Sequence, residues 1–236
     1  MYRKEVNERS PLRIFEKSTH GGLGRGNLGV VISRAGVGKT AFLVDVALDD
    51  AMRKRKVLHM TVNNTVEAVR NFYDKMFVEL AKSTHLEHPD EVRLMVEQNR
   101  HIHSYKDVSF SVDRMVGVAR FLRDHADFKV DAVLVDNFPF ASSGEEEMRA
   151  VKQLAEEMDC EVWLSALSHR DTKKNELGYP DPVEQFDPFI AVKIYLDPTD
   201  DYIRLRLLKD HDSKEVDEMG VDLDPTTLLL KSHQTA

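Results

Sequence analysis

The chain has 236 residues, 42% of them hydrophobic, enough for one large α/β domain that buries roughly 70–75% of its unfolded surface without help from disulfides. Its single cysteine, Cys160, excludes an intramolecular disulfide and a cysteine-based zinc cluster; no run approaches 18 apolar residues and Met1-Tyr2-Arg3-Lys4-Glu5 opens no hydrophobic signal segment, so the expectation is a cytoplasmic protein with no membrane partner. A net charge of −8 disfavours polyanions at long range, which leaves nucleic acid as a partner only through a local patch.

In chain order, residues 1–20 are charged and weakly periodic, with Pro11 interrupting them, and read as either an arm that packs on a neighbour or a short capping segment. Residues 21–236 read as one domain. Four glycines within Gly21-Gly22-Leu23-Gly24-Arg25-Gly26 make a turn-rich lead-in, either tight backbone beside a ligand or a surface loop. Leu28 to Ile32 is an apolar run expected to be a buried strand. From Thr40 to Arg53, Leu43, Val46, Ala47 and Ala51 recur at helical spacing, and Asp45, Asp49 and Asp50 are expected on the opposite, polar side. The basic run Arg53-Lys54-Arg55-Lys56 closes that helix and is expected to be a solvated last turn complementing the dipole.

Between strand and helix stands Ser33-Arg34-Ala35-Gly36-Val37-Gly38-Lys39-Thr40, followed by Ala41. It matches the phosphate-binding loop pattern G-x-x-x-x-G-K-[ST], with Ser33 in place of the first glycine. The residue types follow from the chemistry of gripping a triphosphate. Gly36 and Gly38 let successive N–H groups point into one concavity, and the helix N-terminus adds partial positive charge. Lys39 is expected to reach the β- and γ-phosphates, and the Thr40 hydroxyl to bind Mg²⁺.

Further along, residues 56–62 read as a second strand ended by Asn63-Asn64-Thr65, with Thr65 as N-cap of a helix from Val66 to Leu80. His85, His88, His101 and His103 lack carboxylate or cysteine partners at ligand spacing, so no metal is expected there. A short strand at 101–105, a helix at 112–123 and a strand from Val130 to Asp136 follow. Asp136, at the tip of an apolar strand downstream of a phosphate loop, is placed to order the water shell of the magnesium. Next come a helix over 145–157, a strand over 161–167 with Cys160 buried before it, and a mobile, Gly/Pro-containing loop over 171–187 near the mouth of the site. Strands over 191–196 and 202–209 form a hairpin, and Leu228-Leu229-Leu230 reads as a last edge strand or docking segment.

This order resembles the RecA-fold ATPases, and most closely their KaiC/DnaB-like branch. Gly21 to Gly26 resembles the G-G-G-l-p-x-G lead-in, Ser33 to Thr40 the G-x-x-G-x-G-K-T loop, and Asn63-Asn64-Thr65-Val66-Glu67-Ala68 the strand ending in E-e-s-x-e-e. Leu164 to Arg170 is similar to L-S-Q-x-x-R, and Leu207 to His211 to the l-x-K-x-R hairpin. The resemblance covers residues 20 to 212. It implies a RecA-like P-loop NTPase, a mostly parallel twisted sheet flanked by helices with a C-terminal antiparallel hairpin, binding ATP or ADP with Mg²⁺ and working as a homo-oligomer, with room for a protein partner. It also implies catalytic positions. The glutamate that accepts a proton from the attacking water falls on Asn63, or, with the alignment shifted by a few residues, on Glu67, the sensor glutamine falls on Ala166, and the arginine finger falls on His211, while Lys209 is retained. An amide is a very poor base, and loss of a general base costs on the order of 10²–10⁴ in rate. The expectation is therefore a weakly hydrolysing switch or assembly subunit. The alternatives are a competent ATPase motor using Glu67 or one of Glu145-Glu146-Glu147, a DNA recombination or helicase accessory using the 171–187 loop, and, more weakly, a nucleotide kinase.

Overall fold

Short apolar runs alternating with helices that carry one apolar stripe give a layered α/β fold. In the computed structural model, which describes residues 1–213 and 218–233, the order is α1 (Arg3–Glu8), α2 (Leu12–Ser18), β1 (Leu28–Ser33), α3 (Lys39–Met52), β2 (Val57–Val62), α4 (Val66–Thr84), α5 (Pro89–Gln98), β3 (Arg100–Tyr105), α6 (Val112–His125), β4 (Ala132–Asp136), α7 (Glu145–Met158), β5 (Glu161–Leu167), β6 (Ile190–Pro198), β7 (Ile203–Asp210), β8 (Val221–Leu223) and β9 (Leu230–Ser232). The strands form one sheet in the order β3-β2-β4-β5-β1-β6-β7-β8-β9, parallel from β3 to β6 and antiparallel from β6 to β9. β1, β2 and β4 are buried at every position, as strands covered on both faces must be. One face packs with α1 to α5 around Phe42 and Trp163, the other with α6 and α7 around Met115 and Met148. No helix among the described residues is long and apolar enough to cross a membrane.

The sheet, the helix α3 and the terminal hairpin stand where the sequence places them, with boundary shifts of a few residues. The β4 strand begins at Ala132 rather than Val130, and α4 runs on to Thr84. Thr65 caps α4 by accepting a hydrogen bond from the Ala68 N–H at 3.1 Å. Cys160 is buried just ahead of β5.

Three expectations are corrected by packing. Asp49 and Asp50 do not face solvent: α3 is central, with α1 and α2 on its outer side, and both aspartates are buried. Asp49 accepts from Arg13 and from Asn7 Nδ2 at 3.2 Å, and Asp50 from Arg55 at 2.8 Å. The basic run is accordingly not a freely solvated turn, since Arg53 pairs with Glu16 and Asp49, and Arg55 with Asp50 and Glu161. The second half of the 171–187 segment is held down rather than loose: buried Lys193 of β6 pairs with Asp181 and, at 2.7 Å, with Asp187, and the segment's own Val183 and Phe186 are buried, while residues 171–178 are largely exposed.

Residues 1–20 cap their own chain. Phe15 of α2 sits 5.8 Å from the Trp163 ring and 6.5 Å from Phe42, centroid to centroid. The helices α1 and α2 lie outside the sequence reading, which saw only weak periodicity over residues 1–20, and so do two later elements. The α5 helix shows only Val92 and Val96 as buried apolar positions, too sparse a stripe to register, and β8 is three residues long. The edge strand at the tail starts at Leu230, because Leu228 is in a left-handed turn with φ 63°.

Candidate functional site

The site is built where β1 ends and α3 begins, at the C-terminal edge of the parallel strands, the side on which open α/β sheets hold ligands. Ser33 is the last residue of β1 and Lys39 the first of α3. Gly36 (φ 76°) and Gly38 (φ 130°) turn the chain between them through backbone conformations that L side chains rarely adopt. Gly38 is also held by a close approach: a Cβ there would lie 2.5 Å from Leu223 Cδ2 of β8. Arg34, Ala35 and Gly36 are exposed, Val37 and Gly38 half-buried, and Ala41 fixes the first turn in the core.

Lys39 is 7% exposed, and its ammonium folds back over the loop, donating to Ser33 O (3.2 Å), Ser33 Oγ (3.3 Å) and Arg34 O (3.1 Å). Burial lowers its pKa, with Asp136 opposing the shift. Ser33, which stands where the motif has glycine, thus contributes an extra acceptor for the lysine.

Asp136 is fully buried at the tip of β4, two strands from β1. Its Oδ2 accepts from Thr40 Oγ1 at 2.6 Å, and its Oδ1 from Ser165 Oγ at 2.7 Å and the Asn137 N–H at 3.1 Å. Ser165 belongs to β5, the strand between, opposite Val31 of β1. The fold therefore brings Lys39, Thr40 and Asp136 together, with Ser165 and Asn137 as supports that sequence reading missed. Ser165 is the lone hydroxyl in an otherwise apolar strand interior, a signal whose meaning depends on register. Among the described residues no group of three or more His, Cys, Asp and Glu side chains could hold a metal by itself. Mg²⁺ needs less, since it keeps waters and takes one or two protein oxygens beside substrate phosphates. A hydroxyl and a carboxylate in contact, Thr40 and Asp136, fit that donor set.

Of the other expected site residues, Asn63 follows the tip of β2, exposed and at φ 65°, its N–H donating to Tyr105 O at 2.8 Å. Asn137 Nδ2 donates to Val62 O at 3.2 Å and ties the β4 and β2 tips together. Glu67 is exposed in the first turn of α4. Glu145, Glu146 and Glu147 open α7, where Glu147 accepts from the Gly144 N–H at 2.9 Å as a cap. Ala166 is buried on β5 opposite Ile32 and offers only a methyl group.

The structure does not bring Lys209 and His211 to the β1–α3 loop of their own chain. β7 runs antiparallel to β6, so Lys209 lies level with Lys193 and Val30, and the strand ends at the other edge of the sheet. Lys209 donates to Asp187 O at 2.6 Å; His211 Nδ1 lies 2.7 Å from Asp210 Oδ1 and its Nε2 3.2 Å from Leu23 O. Burial lowers the pKa of Lys209.

No protein-family model matches this chain, and a search of curated proteins finds no match to it.

Proposed function

We propose that this chain is a RecA-fold, KaiC-like protein that binds ATP or ADP with Mg²⁺ at Ser33 to Ala41 and hydrolyses ATP slowly or not at all, serving in the cytoplasm as a nucleotide-dependent switch or assembly subunit of a homo-oligomer. The observation that carries the reading is the 2.6 Å contact from Thr40 to the buried Asp136, beside a lysine folded onto the loop. Those are the oxygens that would hold the ion and its water shell, and the ammonium that would exchange loop carbonyls for phosphate oxygens. Mg²⁺ supplies charge neutralisation of the phosphates. Slow turnover follows from Asn63, whose amide orients water but does not take its proton.

Calorimetry tests this directly. Mg²⁺-dependent uptake of ATP is expected for the intact protein, with affinity at least about tenfold weaker in Lys39→Ala, which corresponds to about 1.4 kcal/mol. Absence of ATP and ADP uptake by the wild type overturns the reading. A Lys39-dependent turnover above about 1 s⁻¹ instead favours the motor, with Glu67 as base. Salt-sensitive binding of single-stranded DNA through the 171–187 segment is the mark of the accessory reading, against which the charge of −8 stands.

A further inference from the structure

On the flank of the phosphate-loop helix lies a second concavity, separate from the phosphate loop. It is a cleft of about 750 Å³ bounded by α1, α2, α3, the end of α4, the β6–β7 turn and β8–β9. That volume falls in the range of small-molecule sites. Val6, Leu12, Leu48, Met52, Leu80 and Leu230 give it apolar walls. From Ala41 to Met52 every residue is buried except Asp45, which opens onto this cleft. Asp45 Oδ2 accepts the Leu230 N–H at 3.0 Å.

The other enclosed carboxylates of the cleft are met by cations: Asp49 by Arg13 and Arg53, Asp224 by Lys231, and Asp222 by Arg204 at 3.5 Å, with His233 Nδ1 also 2.8 Å from Asp222. Asp45, among the described residues, has a backbone N–H and no cationic side chain. A carboxylate in apolar surroundings is costly to ionise unless a positive group joins it, and burial accordingly pushes the Asp45 carboxyl well above the usual range. Asp201 stands exposed on the rim, as does Arg9. A cleft with a largely apolar inner wall, an acid on it that has no cationic side chain beside it, and Arg13, Arg53 and Lys231 committed to other carboxylates is complementary to a particular kind of molecule.

We infer that this cleft is a second ligand site, distinct from the nucleotide site, which takes a small organic amine, its apolar body against the leucine and methionine walls and its ammonium on Asp45. An organic anion is disfavoured by Asp45, Asp222 and Asp224, and a bare metal ion by their arrangement: among the described residues no three His, Cys, Asp or Glu side chains are grouped so as to hold one.

The test uses the full chain without nucleotide and three probes of one shape: 2-phenylethylamine, 2-phenylethanol and 3-phenylpropionate, followed by ligand-observed NMR and calorimetry. For so small a molecule a dissociation constant on the order of 1 mM is expected for the amine. The alcohol is expected at least about tenfold weaker and the acid weaker still, a gap of about 1.4 kcal/mol per decade. Asp45→Asn, which keeps an oxygen for the Leu230 N–H, should erase the preference of amine over alcohol. Leu80→Trp, which fills the chamber from α4, should abolish binding of both. Equal binding of amine and alcohol by the wild type, or no binding of the amine at millimolar concentration, overturns the assignment. So does retention of the preference in Asp45→Asn. Since no nucleotide is present, these results leave the ATP reading standing or falling on its own calorimetry.

Discussion

At Asn63 the backbone and the proposed chemistry constrain the same position. Its φ of 65° is left-handed, a conformation Asn enters more readily than Glu, whose side chain gains nothing locally to offset roughly 1–2 kcal/mol of strain. If hydrolysis is limited by the missing base, Asn63→Glu should raise turnover by on the order of 10²-fold while lowering stability by about 1 kcal/mol. Single-turnover assays and urea titration read the two effects separately, and an unchanged rate with ATP still bound removes Asn63 from water activation. A second residue-scale expectation concerns His59, fully buried on β2 with Nδ1 2.9 Å from Tyr73 Oη. Burial lowers its pKa to about 4, so the fold holds the neutral ring. The unfolded chain binds the proton first, near pH 6.5, so the stability tied to neutral His59 is present above that pH and is lost as pH falls toward 4. Buried Asp50, pushed up to about 7, acts oppositely: the stability tied to its neutral form is present below pH 4 and lost as pH rises through 7. The gap in urea midpoint between wild type and His59→Phe should therefore shift in favour of the variant between pH 6.5 and 4, and a gap constant with pH would refute the assignment. Lys39, Thr40 and Asp136 were legible because each is marked by a local motif or a strand tip. Ser165 and Asn137 were not, because their roles arise only when parallel strands align three tips.

The strand, loop and helix from Leu28 to Met52 were legible as a unit because their signals are local: apolar run, glycines, then helical periodicity. What holds the loop from outside was not. β8 is a three-residue strand remote in sequence, yet Leu223 on it presses against Gly38. That contact separates the two glycines physically. At Gly36 a Cβ meets nothing within 4 Å, so Gly36→Ala carries only the left-handed backbone cost, roughly 1 kcal/mol. At Gly38, whose φ of 130° lies outside even the left-handed well, a larger backbone cost is joined by a 2.5 Å clash with Leu223, and Gly38→Ala should lose roughly 2–4 kcal/mol. Chemical denaturation of both variants checks the ordering. Gly38→Ala paired with Leu223→Ala should recover part of the loss, whereas equal costs at the two glycines would mean that β8 moves aside freely.

Across the whole molecule, the parallel centre of the sheet was readable from its apolar runs, but the N-terminal layer was not, for a thermodynamic reason. Helices of six and seven residues are not stable alone, so sequence periodicity carries little of their signal and tertiary burial carries most of it. Here Phe15 joins Trp163 and Phe42 in an aromatic cluster, with the Trp163 ring lying across Gly29 of β1, and Arg13 and Asn7 satisfy the buried Asp49. Deleting residues 1–20 would remove Phe15, Arg13 and Asn7 at once and leave Arg53 as the remaining cation on Asp49. Removing one partner of a buried ion pair costs about 3–5 kcal/mol, and losing Phe15 adds a similar amount through lost packing. Trp163 is the only tryptophan, so its emission reports this layer alone. The truncated chain should show red-shifted emission and a much lower urea midpoint, and if its phosphate site still forms, added Mg·ATP should raise that midpoint again by mass action. Unshifted emission with an unchanged midpoint would mean that the two helices are appended to the α/β body rather than part of its core.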